Sequence, residues 1–352
     1  MKRQYGVALI SVLLIVALAS ILATKMTGKL IMQMQRTVNV TSNQQAYWYA
    51  LGAEAFATSV LSKTFQNEPD VTHLGQFWAQ GETSYPVEQG QITGQIFDLQ
   101  ACFNLNALRA SDKNADGRLN INSSRENQGA DNNPPSPSSD KDDNGKPIAR
   151  QSFERLLRAL NIEGVDEFTA EYLADALSDW LDKDSMIASA GGAEDSDYSS
   201  REFPYLTANH YMASVNELRM VEHFTPEIIN VLKDYVCVIP NSNLHKININ
   251  TLAEEQTVLL EALLDVNSTD ASDIMSSREE NGFTNIDDFF ALSNVQNKNL
   301  TEKHKQQFAV DSEYFKLKTM ASFNNSYVNL NSIIWISNNK HIQVIARSIG
   351  RE

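Results

Sequence analysis

The stretch MKRQYGVALISVLLIVALASILAT, residues 1–24, decides the fold of this 352-residue chain. Two basic residues precede Gly6, and residues 7–24 carry no charge and are nearly all apolar. A run of 18 such residues is just long enough to cross the hydrocarbon core of a bilayer as a helix. No acidic residue occurs before Glu54, whereas five basic residues lie near the run, so its short N-terminal side is expected in the cytoplasm. The rest of the chain is then expected outside.

Apolar residues continue at helical spacing well beyond the membrane run. At intervals of four, three and four they are Tyr49, Ala53, Phe56 and Val60. The first proline is Pro69. The pattern predicts one long helix, with residues 7–24 in lipid and residues 25–60 continuing outside it. A cleaved secretory signal peptide differs, because it ends at a small-residue cleavage site instead of continuing as a helix.

The charge balance disfavours one class of partner. The chain has 29 Lys plus Arg and 44 Asp plus Glu, and five of the basic residues lie in the first 53 positions. The remainder therefore carries 24 basic against 44 acidic residues, a formal charge of −20. Such a surface repels phosphate backbones and anionic lipid heads, so nucleic-acid binding is not expected. A hydrophobic content of 42% is enough for real cores.

Enzyme signatures are absent from the sequence. The six histidines form no HxxxH cluster, and the chain has neither a GxSxG motif nor a phosphate-binding loop after a strand. We therefore assign no catalytic residues and no enzymatic activity.

Hydrophobic periodicity divides the rest of the chain into two strand-rich blocks and a helical segment between them. Residues 61–109 contain TSYPVEQG, QITGQIFDLQ and ACFNLN, and residues 308–352 contain EYFKLKTMASF, SYVNLNSIIWIS and HIQVIARSIG. Residues 110–307 show helical spacing, as in RQSFERLLRAL, VDEFTAEYLADALSDWL, TPEIINVLKDYV and EQTVLLEALLDV. The prediction is an α+β fold, in which a long N-terminal helix packs on a small antiparallel sheet interrupted by a large all-α insertion.

One part of the insertion resembles a helix-hairpin-helix or SAM-like unit, LLEALLDV followed by DASDIMSSREENGFTNIDDFFAL. Units of this kind often bind DNA backbones through a hairpin that contains Gly. Here seven acidic residues surround the hairpin: Asp265, Asp270, Asp273, Glu279, Glu280, Asp287 and Asp288. We therefore predict a role in packing or protein docking.

A basic leader that ends in Gly and precedes the apolar run resembles the leader of type IV prepilins and pseudopilins. The resemblance implies cleavage by prepilin peptidase after Gly6 and methylation of the new N-terminus, Val7. Most members carry Glu at the fifth mature position, where Ser11 stands here. That loss is characteristic of the large minor pseudopilin of type II secretion systems, the general secretion pathway protein K family. Five stretches are similar to that family: FNLNAL (103–108), SDWLDKD (178–184), GAEDSDY (192–198), FPYLTANHYMASVNELRMV (203–221) and ININ (247–250).

The resemblance implies a minor pseudopilin at the tip of the pseudopilus, which initiates or caps assembly with minor pseudopilins I and J for protein export across the outer membrane. It also implies a single-pass inner-membrane protein with a periplasmic C-terminal domain, and it leaves contact with secreted cargo open. The alternative is an anchored adhesin or a nucleic-acid capture pilin. Basic residues gathered on one exposed face would distinguish that alternative.

Acidic residues concentrate on both sides of the Gly191-Gly192 step. Carboxylates spaced by two in a loop can point at one centre, where a hard cation such as calcium relieves their repulsion. A solvated acidic loop is the alternative, and the resemblance to a family whose helical domain binds calcium favours the site. The predicted calcium ligands are Asp182, Asp184, Glu194, Asp195 and Asp197. Two further stretches, residues 112–117 and 140–145, match only the first half of an EF-hand loop.

The chain has two cysteines, Cys102 and Cys237, each inside a short apolar run. In an oxidising compartment outside the inner membrane they are expected to form a disulfide. Two buried free thiols are the alternative.

Overall fold

The computed structural model describes residues 7–109, 146–337 and 339–350. Helix α1 spans Val7–Asn67. Residues 9–41 are exposed around the whole circumference of the helix, and among the described residues α1 is the one helix long and apolar enough to cross a membrane. The helix continues seven residues beyond the predicted end at residue 60, because Leu61 and Phe65 still pack against the sheet. It ends two residues before Pro69, whose ring is incompatible with a continuing helix.

The other elements follow α1 along the chain. The strands are β1 (Thr83–Val87), β2 (Gly90–Asp98), β3 (Phe103–Asn104), β4 (Val236–Cys237), β5 (Ile247–Asn248), β6 (Phe308–Ala309), β7 (Tyr314–Phe323), β8 (Ser326–Ile336) and β9 (Ile342–Ile349). The helices are α2 (Ile148–Ala159), α3 (Glu167–Leu181), α4 (Asp195–Ser199), α5 (Pro226–Leu232), α6 (Thr257–Leu264), α7 (Ser268–Ser276), α8 (Ile286–Phe290), α9 (Ser293–Gln296) and α10 (Glu302–Lys305). Short 3₁₀ helices span Phe77–Ala79, Leu105–Leu108, Val215–Met220 and Glu254–Gln256.

The main sheet has five antiparallel strands in the order β1-β2-β7-β8-β9. Strands β2 and β7 are direct neighbours, with Gly90 opposite Phe323 and Asp98 opposite Phe315, although the whole helical segment separates them in sequence. The predicted α+β architecture, a small antiparallel sheet interrupted by a helical insertion, is thus confirmed.

The predicted strand in ACFNLN does not belong to the main sheet. Phe103–Asn104 pairs in parallel with Val236–Cys237 instead, in a two-stranded sheet inside the insertion. Asn104 and Asn106 explain the difference, because their amides bind the backbone of distant insertion loops: Asn104 donates to the carbonyl of Ser242 at 2.9 Å, and Asn106 to that of Met212 at 3.0 Å. The insertion core accordingly includes Phe103 and Phe308, just outside the predicted range of 110–307.

The C-terminal part of α1 packs on one face of the main sheet. Its apolar side chains Ala57, Leu61 and Phe65 lie against Phe315 and Ile334. These buried α1 residues recur every three or four positions, so one face of the helix is committed to the sheet.

An ion pair between the buried Glu54 and the half-exposed Arg347 lies at the contact between α1 and the sheet. The guanidinium of Arg347 donates two hydrogen bonds of 2.8 Å to the Glu54 carboxylate, and Ser332 donates a third at 2.5 Å. Burial alone would raise the pKa of Glu54, but the hydrogen bonds from Arg347 and Ser332 outweigh it and hold that pKa below its ordinary value. The pair therefore ties the middle of α1 to β9 at one position.

The helix-hairpin-helix resemblance corresponds to α7, a turn at Gly282 with φ of 73°, and α8. The Asn250 side chain occupies this hairpin: its oxygen accepts the amide of Phe283 at 2.7 Å, and its nitrogen donates to the Phe283 carbonyl at 3.0 Å. A Cβ at position 282 would lie 2.4 Å from Asn250, so only glycine fits here. Asn250 thus fixes the hairpin turn to the rest of the insertion, while Glu279, Glu280 and Asn281 remain exposed.

A buried carboxylate joins the insertion to the sheet where β2 ends. Asp98 accepts hydrogen bonds from the amide of Gln100 at 2.7 Å and from the hydroxyls of Thr251 at 2.6 Å and Ser312 at 2.5 Å. Burial raises the pKa of Asp98 to about 6, although these hydrogen bonds oppose the change. Its donors come from three separate segments, so Asp98 holds both crossings between sheet and insertion.

The sulfur atoms of Cys102 and Cys237 are bonded, and their Cα atoms lie 5.8 Å apart. The bridge agrees with the disulfide predicted from the sequence. It closes a loop of 135 residues and joins the first segment of the insertion to β4.

Replacing both Cys102 and Cys237 by Ser should lower the free energy of unfolding by about 4 kcal/mol, because the unfolded chain then regains the freedom of a long open loop. Thermal unfolding of the full chain in detergent measures the change. As a direct check of the bridge, alkylation of the unreduced, denatured protein should modify no thiol. Two modified thiols would contradict the bridge.

Candidate functional site

Three carboxylates meet where α3 ends and α4 begins. Asp179 lies on the last turn of α3, Asp182 is its C-cap residue, and Glu194 is the N-cap residue of α4. One oxygen from each of the three lies within 4.8 Å of the others. The side chains of Asp179 and Glu194 are buried, with 0% and 2% of their surface exposed, and Asp182 is half-buried. We call these three residues the acidic cluster.

Two oxygens of the acidic cluster have no hydrogen-bond donor among the described residues. They are Asp179 Oδ2 and Glu194 Oε1, and both are buried. A buried polar atom without a partner is unfavourable by about 1–3 kcal/mol, and more when it is charged. Buried carboxylate oxygens that converge in this way are typical of a site for a hard cation such as calcium.

The charges of the acidic cluster oppose one another. Burial raises the pKa of Asp179 to about 6 and that of Glu194 to about 7, and the nearby Asp182 carboxylate adds to both changes. The pKa of Asp182 is also raised, first by burial and then by Asp184. An oxygen-seeking cation would remove this repulsion and stabilise the ionised forms.

Two glycines let the loop close over α3. A Cβ at Gly192 would lie 2.0 Å from Asp179 Oδ2, and one at Gly191 would lie 2.4 Å from the Cα of Tyr172. The Gly191 amide donates to Asp175 at 3.2 Å, and Asp175 is paired with Arg150. One turn further along α3, Asp179 accepts a 3.4 Å bond from the Ala188 amide, and the Ala193 amide also lowers its pKa. The loop therefore places Glu194 beside two further carboxylates whose charges repel its own.

The structure brings together two of the five predicted ligands, Asp182 and Glu194. The other three accept local hydrogen bonds instead. Asp184 accepts the amide of Met186 at 3.0 Å, Asp195 accepts the amide and hydroxyl of Thr207 at 3.0 and 2.5 Å, and Asp197 accepts the amide of Glu194 at 3.0 Å. The bonds of Asp184 and Asp197 are turn and capping contacts, which Asp residues commonly make, and those of Asp195 hold the segment around Thr207.

Asp179 is the member of the acidic cluster that the predicted ligand set omits. Its spacing of three from Asp182 places both residues on one side of a helix, and that signal was available in SDWLDKD. The two half EF-hand stretches, residues 112–117 and 140–145, lie outside the described residues, as does Gly6.

The sequence matches the models for type II secretion system protein K over residues 101–241 and 247–311. It is 39% identical over 284 residues to the type II secretion system protein K of Aeromonas hydrophila, covering 80% of this chain and 78% of that one. It is 34% identical to the protein K of Pectobacterium carotovorum, covering 99% and 97%.

The fold is similar to a solved structure, the crystal structure of the GspK-GspI-GspJ complex from the enterotoxigenic Escherichia coli type 2 secretion system. The match has a TM-score of 0.73 and 31% sequence identity, and it covers 90% of this chain and 100% of the matched chain. The chain therefore belongs to the type II secretion system protein K family of minor pseudopilins.

Proposed function

We propose that this protein occupies the tip of the type II secretion pseudopilus, where it initiates or caps assembly with minor pseudopilins I and J for export across the outer membrane. The observation that carries the proposal is the likeness to the GspK-GspI-GspJ complex over 90% of the chain. The proposed role is structural, without enzymatic activity.

Two features support the terminal position. The insertion is about 200 residues in the predicted limits and is too bulky to repeat along a thin filament. Ser11 stands where most pseudopilins carry Glu, so the carboxylate that would meet the N-terminus of the subunit above is missing. A head-to-tail stack that ends in such a subunit cannot grow past it.

The membrane anchor gives the proposed location. Residues 7–24 cross the inner membrane once, and the positive charges near the run keep its N-terminal side in the cytoplasm. The sheet and insertion then lie in the periplasm. A disulfide between Cys102 and Cys237 suits that oxidising compartment.

The nucleic-acid capture alternative receives no support from the described residues. Three basic side chains of the insertion pair with carboxylates: Lys146 with Glu154, Arg150 with Asp175, and Arg201 with Glu222. The hairpin that would approach a phosphate backbone is occupied by Asn250.

We also propose that the acidic cluster holds calcium. Its three carboxylates are hard oxygen ligands, and two of their buried oxygens have no donor in the described part of the chain. Calcium would offset two of the three negative charges of the cluster and hold the loop before α4 against the end of α3. Asp179, Asp182 and Glu194 replace the five-residue ligand set that sequence spacing suggested.

Prepilin peptidase should cut this chain between Gly6 and Val7, because the basic leader precedes the apolar run and ends in Gly. Mass spectrometry of the N-terminal peptide from membranes should find a methylated Val7. A mature start at Met1, or one beyond Thr24, would overturn the processing proposal.

Millimolar calcium should raise the melting temperature of the full chain, because a ligand that binds only the folded state stabilises it. At calcium concentrations about 100-fold above the dissociation constant the gain is roughly 3 kcal/mol. Asp179→Asn and Glu194→Gln should each abolish the calcium-dependent rise, measured by differential scanning fluorimetry with and without chelator.

Asp184→Asn is the matched control for the calcium experiment. Asp184 lies in the same loop region and was predicted as a ligand, but it accepts the Met186 amide outside the cluster. The variant should keep the full calcium-dependent rise. An equal loss in Asp184→Asn and Asp179→Asn would show that the acidic cluster is not the site.

Full-length protein produced with minor pseudopilins I and J should co-purify from detergent-solubilised membranes as a complex with one copy of each. Native mass spectrometry gives the stoichiometry. Failure to recover I and J, together with tight DNA binding at physiological salt, would favour a capture pilin instead.

A further inference from the structure

A groove lies between the main sheet and the insertion. Strands β2 and β7 form one wall, and the 3₁₀ helix Val215–Met220 and helix α5 form the other. Between the walls the groove reaches Asp98 and the disulfide of Cys102 and Cys237. Its volume is about 1440 Å³, larger than the roughly 300–1,000 Å³ of small-molecule sites, so it suits a segment of polypeptide. We call it the sheet-insertion groove.

Two lysines of β7 line the sheet wall. Leu317 packs toward α1, so the alternation of a strand places Lys316 and Lys318 on the opposite face. Lys316 is half-buried and Lys318 is exposed. Phe97 of β2 lies opposite Lys316, and the Lys318 ammonium is 5.0 Å from the centre of the Phe97 ring. This cation–π contact holds the Lys318 charge over the wall.

Two further cations line the insertion wall. Arg219 lies in the 3₁₀ helix and Lys233 follows α5, and both are exposed. The exposed carboxylates of Glu227 and Asp234 share this wall, whereas Asp98 is buried among its own donors. Four cations against two exposed carboxylates give the groove a formal charge of +2. The chain beyond residue 53 has a formal charge of −20, so the groove differs in sign from its surroundings.

The spacing of the two lysines matches an extended peptide. Alternate residues of a strand lie about 6.7 Å apart, so Lys316 and Lys318 present cations at that repeat. Carboxylates at alternate positions of an extended segment have the same repeat. A segment lying along β7 would therefore place successive carboxylates against both lysines. Charges that match in this way favour one partner over others and speed its approach.

Two other kinds of anion fit the groove less well. At this end of β7 the Phe315 ring packs on Phe65 of α1, and Phe65 lies 41 residues beyond Thr24. That is about 60 Å along a helix, so the lipid head groups of the membrane around the anchor do not reach the groove. A DNA duplex carries one negative charge per about 1.7 Å of its axis and requires many cations together. The carboxylates on the insertion wall interrupt such a surface.

We infer that the sheet-insertion groove binds an extended acidic segment of another protein, with carboxylates at alternate positions. The segment lies along β7, and its carboxylates pair with Lys316 and Lys318 on one wall and with Arg219 on the other. Because these lysines are on the sheet face opposite α1, the contact is separate from the membrane anchor. It is also separate from the acidic cluster, whose residues do not line the groove.

The test measures peptide binding to the full chain in neutral detergent at physiological salt. The probe is a short fluorescein-labelled peptide in which Glu alternates with Thr, and its fluorescence anisotropy reports binding. This peptide should bind about tenfold more tightly than the same peptide with Gln in place of Glu. Lys318→Glu combined with Arg219→Glu should weaken binding by about tenfold or more, because two attractions become repulsions.

Lys63→Glu is the matched control. Lys63 is exposed on α1 and does not line the groove, so this variant changes the net charge as Lys318→Glu does and should keep the wild-type affinity. Lys318→Gln guards against a folding defect, since it removes one exposed charge without adding another. It should melt like the wild type and still bind the Glu peptide about twofold to fivefold more weakly.

A photo-crosslinking residue at Asn216 locates the bound peptide, because Asn216 is exposed and lines the groove. It should form an adduct with the Glu peptide, and the adduct should disappear in the double variant. Equal affinity for the Glu and Gln peptides would overturn the proposal. So would an equal loss with Lys63→Glu, or tighter binding of double-stranded DNA or of phosphatidylglycerol vesicles than of the Glu peptide.

Discussion

The packing of α1 on the sheet is the contact on which the rest of this structure depends. A helix that is exposed over residues 9–41 acquires a buried face from Ser42 onward. Without this buried face, nothing else among the described residues would fix the N-terminal helix to the main sheet and the insertion. The Glu54–Arg347 pair adds a constraint that apolar packing lacks, since two parallel hydrogen bonds fix how far the helix slides along β9.

A small number of buried polar contacts and one disulfide fix the orientation of the insertion relative to α1 and the main sheet. Asp98 takes donors from both crossings, and the disulfide at Cys102 lies four residues further along the chain. Asn248 and Asn250 of ININ add side-chain bonds to the backbone of Thr72 and Phe283. Buried hydrogen bonds of this kind are directional, because each buried polar group must keep its own partner. It can therefore hold a bulky domain in one position above the sheet.

Much of the fold was predictable, because it follows from periodicity and from the long apolar run. The helix over the first 60 residues, the two strand blocks and the helices at 148–159 and 167–181 all follow such patterns. The strand predicted in ACFNLN belongs to a different sheet, because alternation predicts a strand but not its partner. The side-chain amides of Asn104 and Asn106 bind insertion loops and so hold this strand beside β4. The predicted end of α1, residue 60, falls short of the observed end at Asn67, because tertiary contacts bury Leu61 and Phe65.

The sequence predicts the region of the candidate site but not which of its carboxylates come together. Spacing identified the two acidic segments, but it cannot show which carboxylates are used by turns and caps. Asp195 and Asp197 are taken by Thr207 and by the Glu194 amide, whereas Asp179 becomes a cluster member because α3 and the Gly191-Gly192 loop converge on it. The distinction depends on where the loop crosses α3, and only the folded chain provides that.

We propose that this protein ends a filament instead of repeating along it. Electron microscopy of pseudopili, with gold particles bound to an epitope in the insertion, measures that position directly. A terminal subunit should give label at one end of each filament and none along the shaft. Label spaced regularly along the shaft would contradict it, because a subunit with this insertion would then be a repeating component.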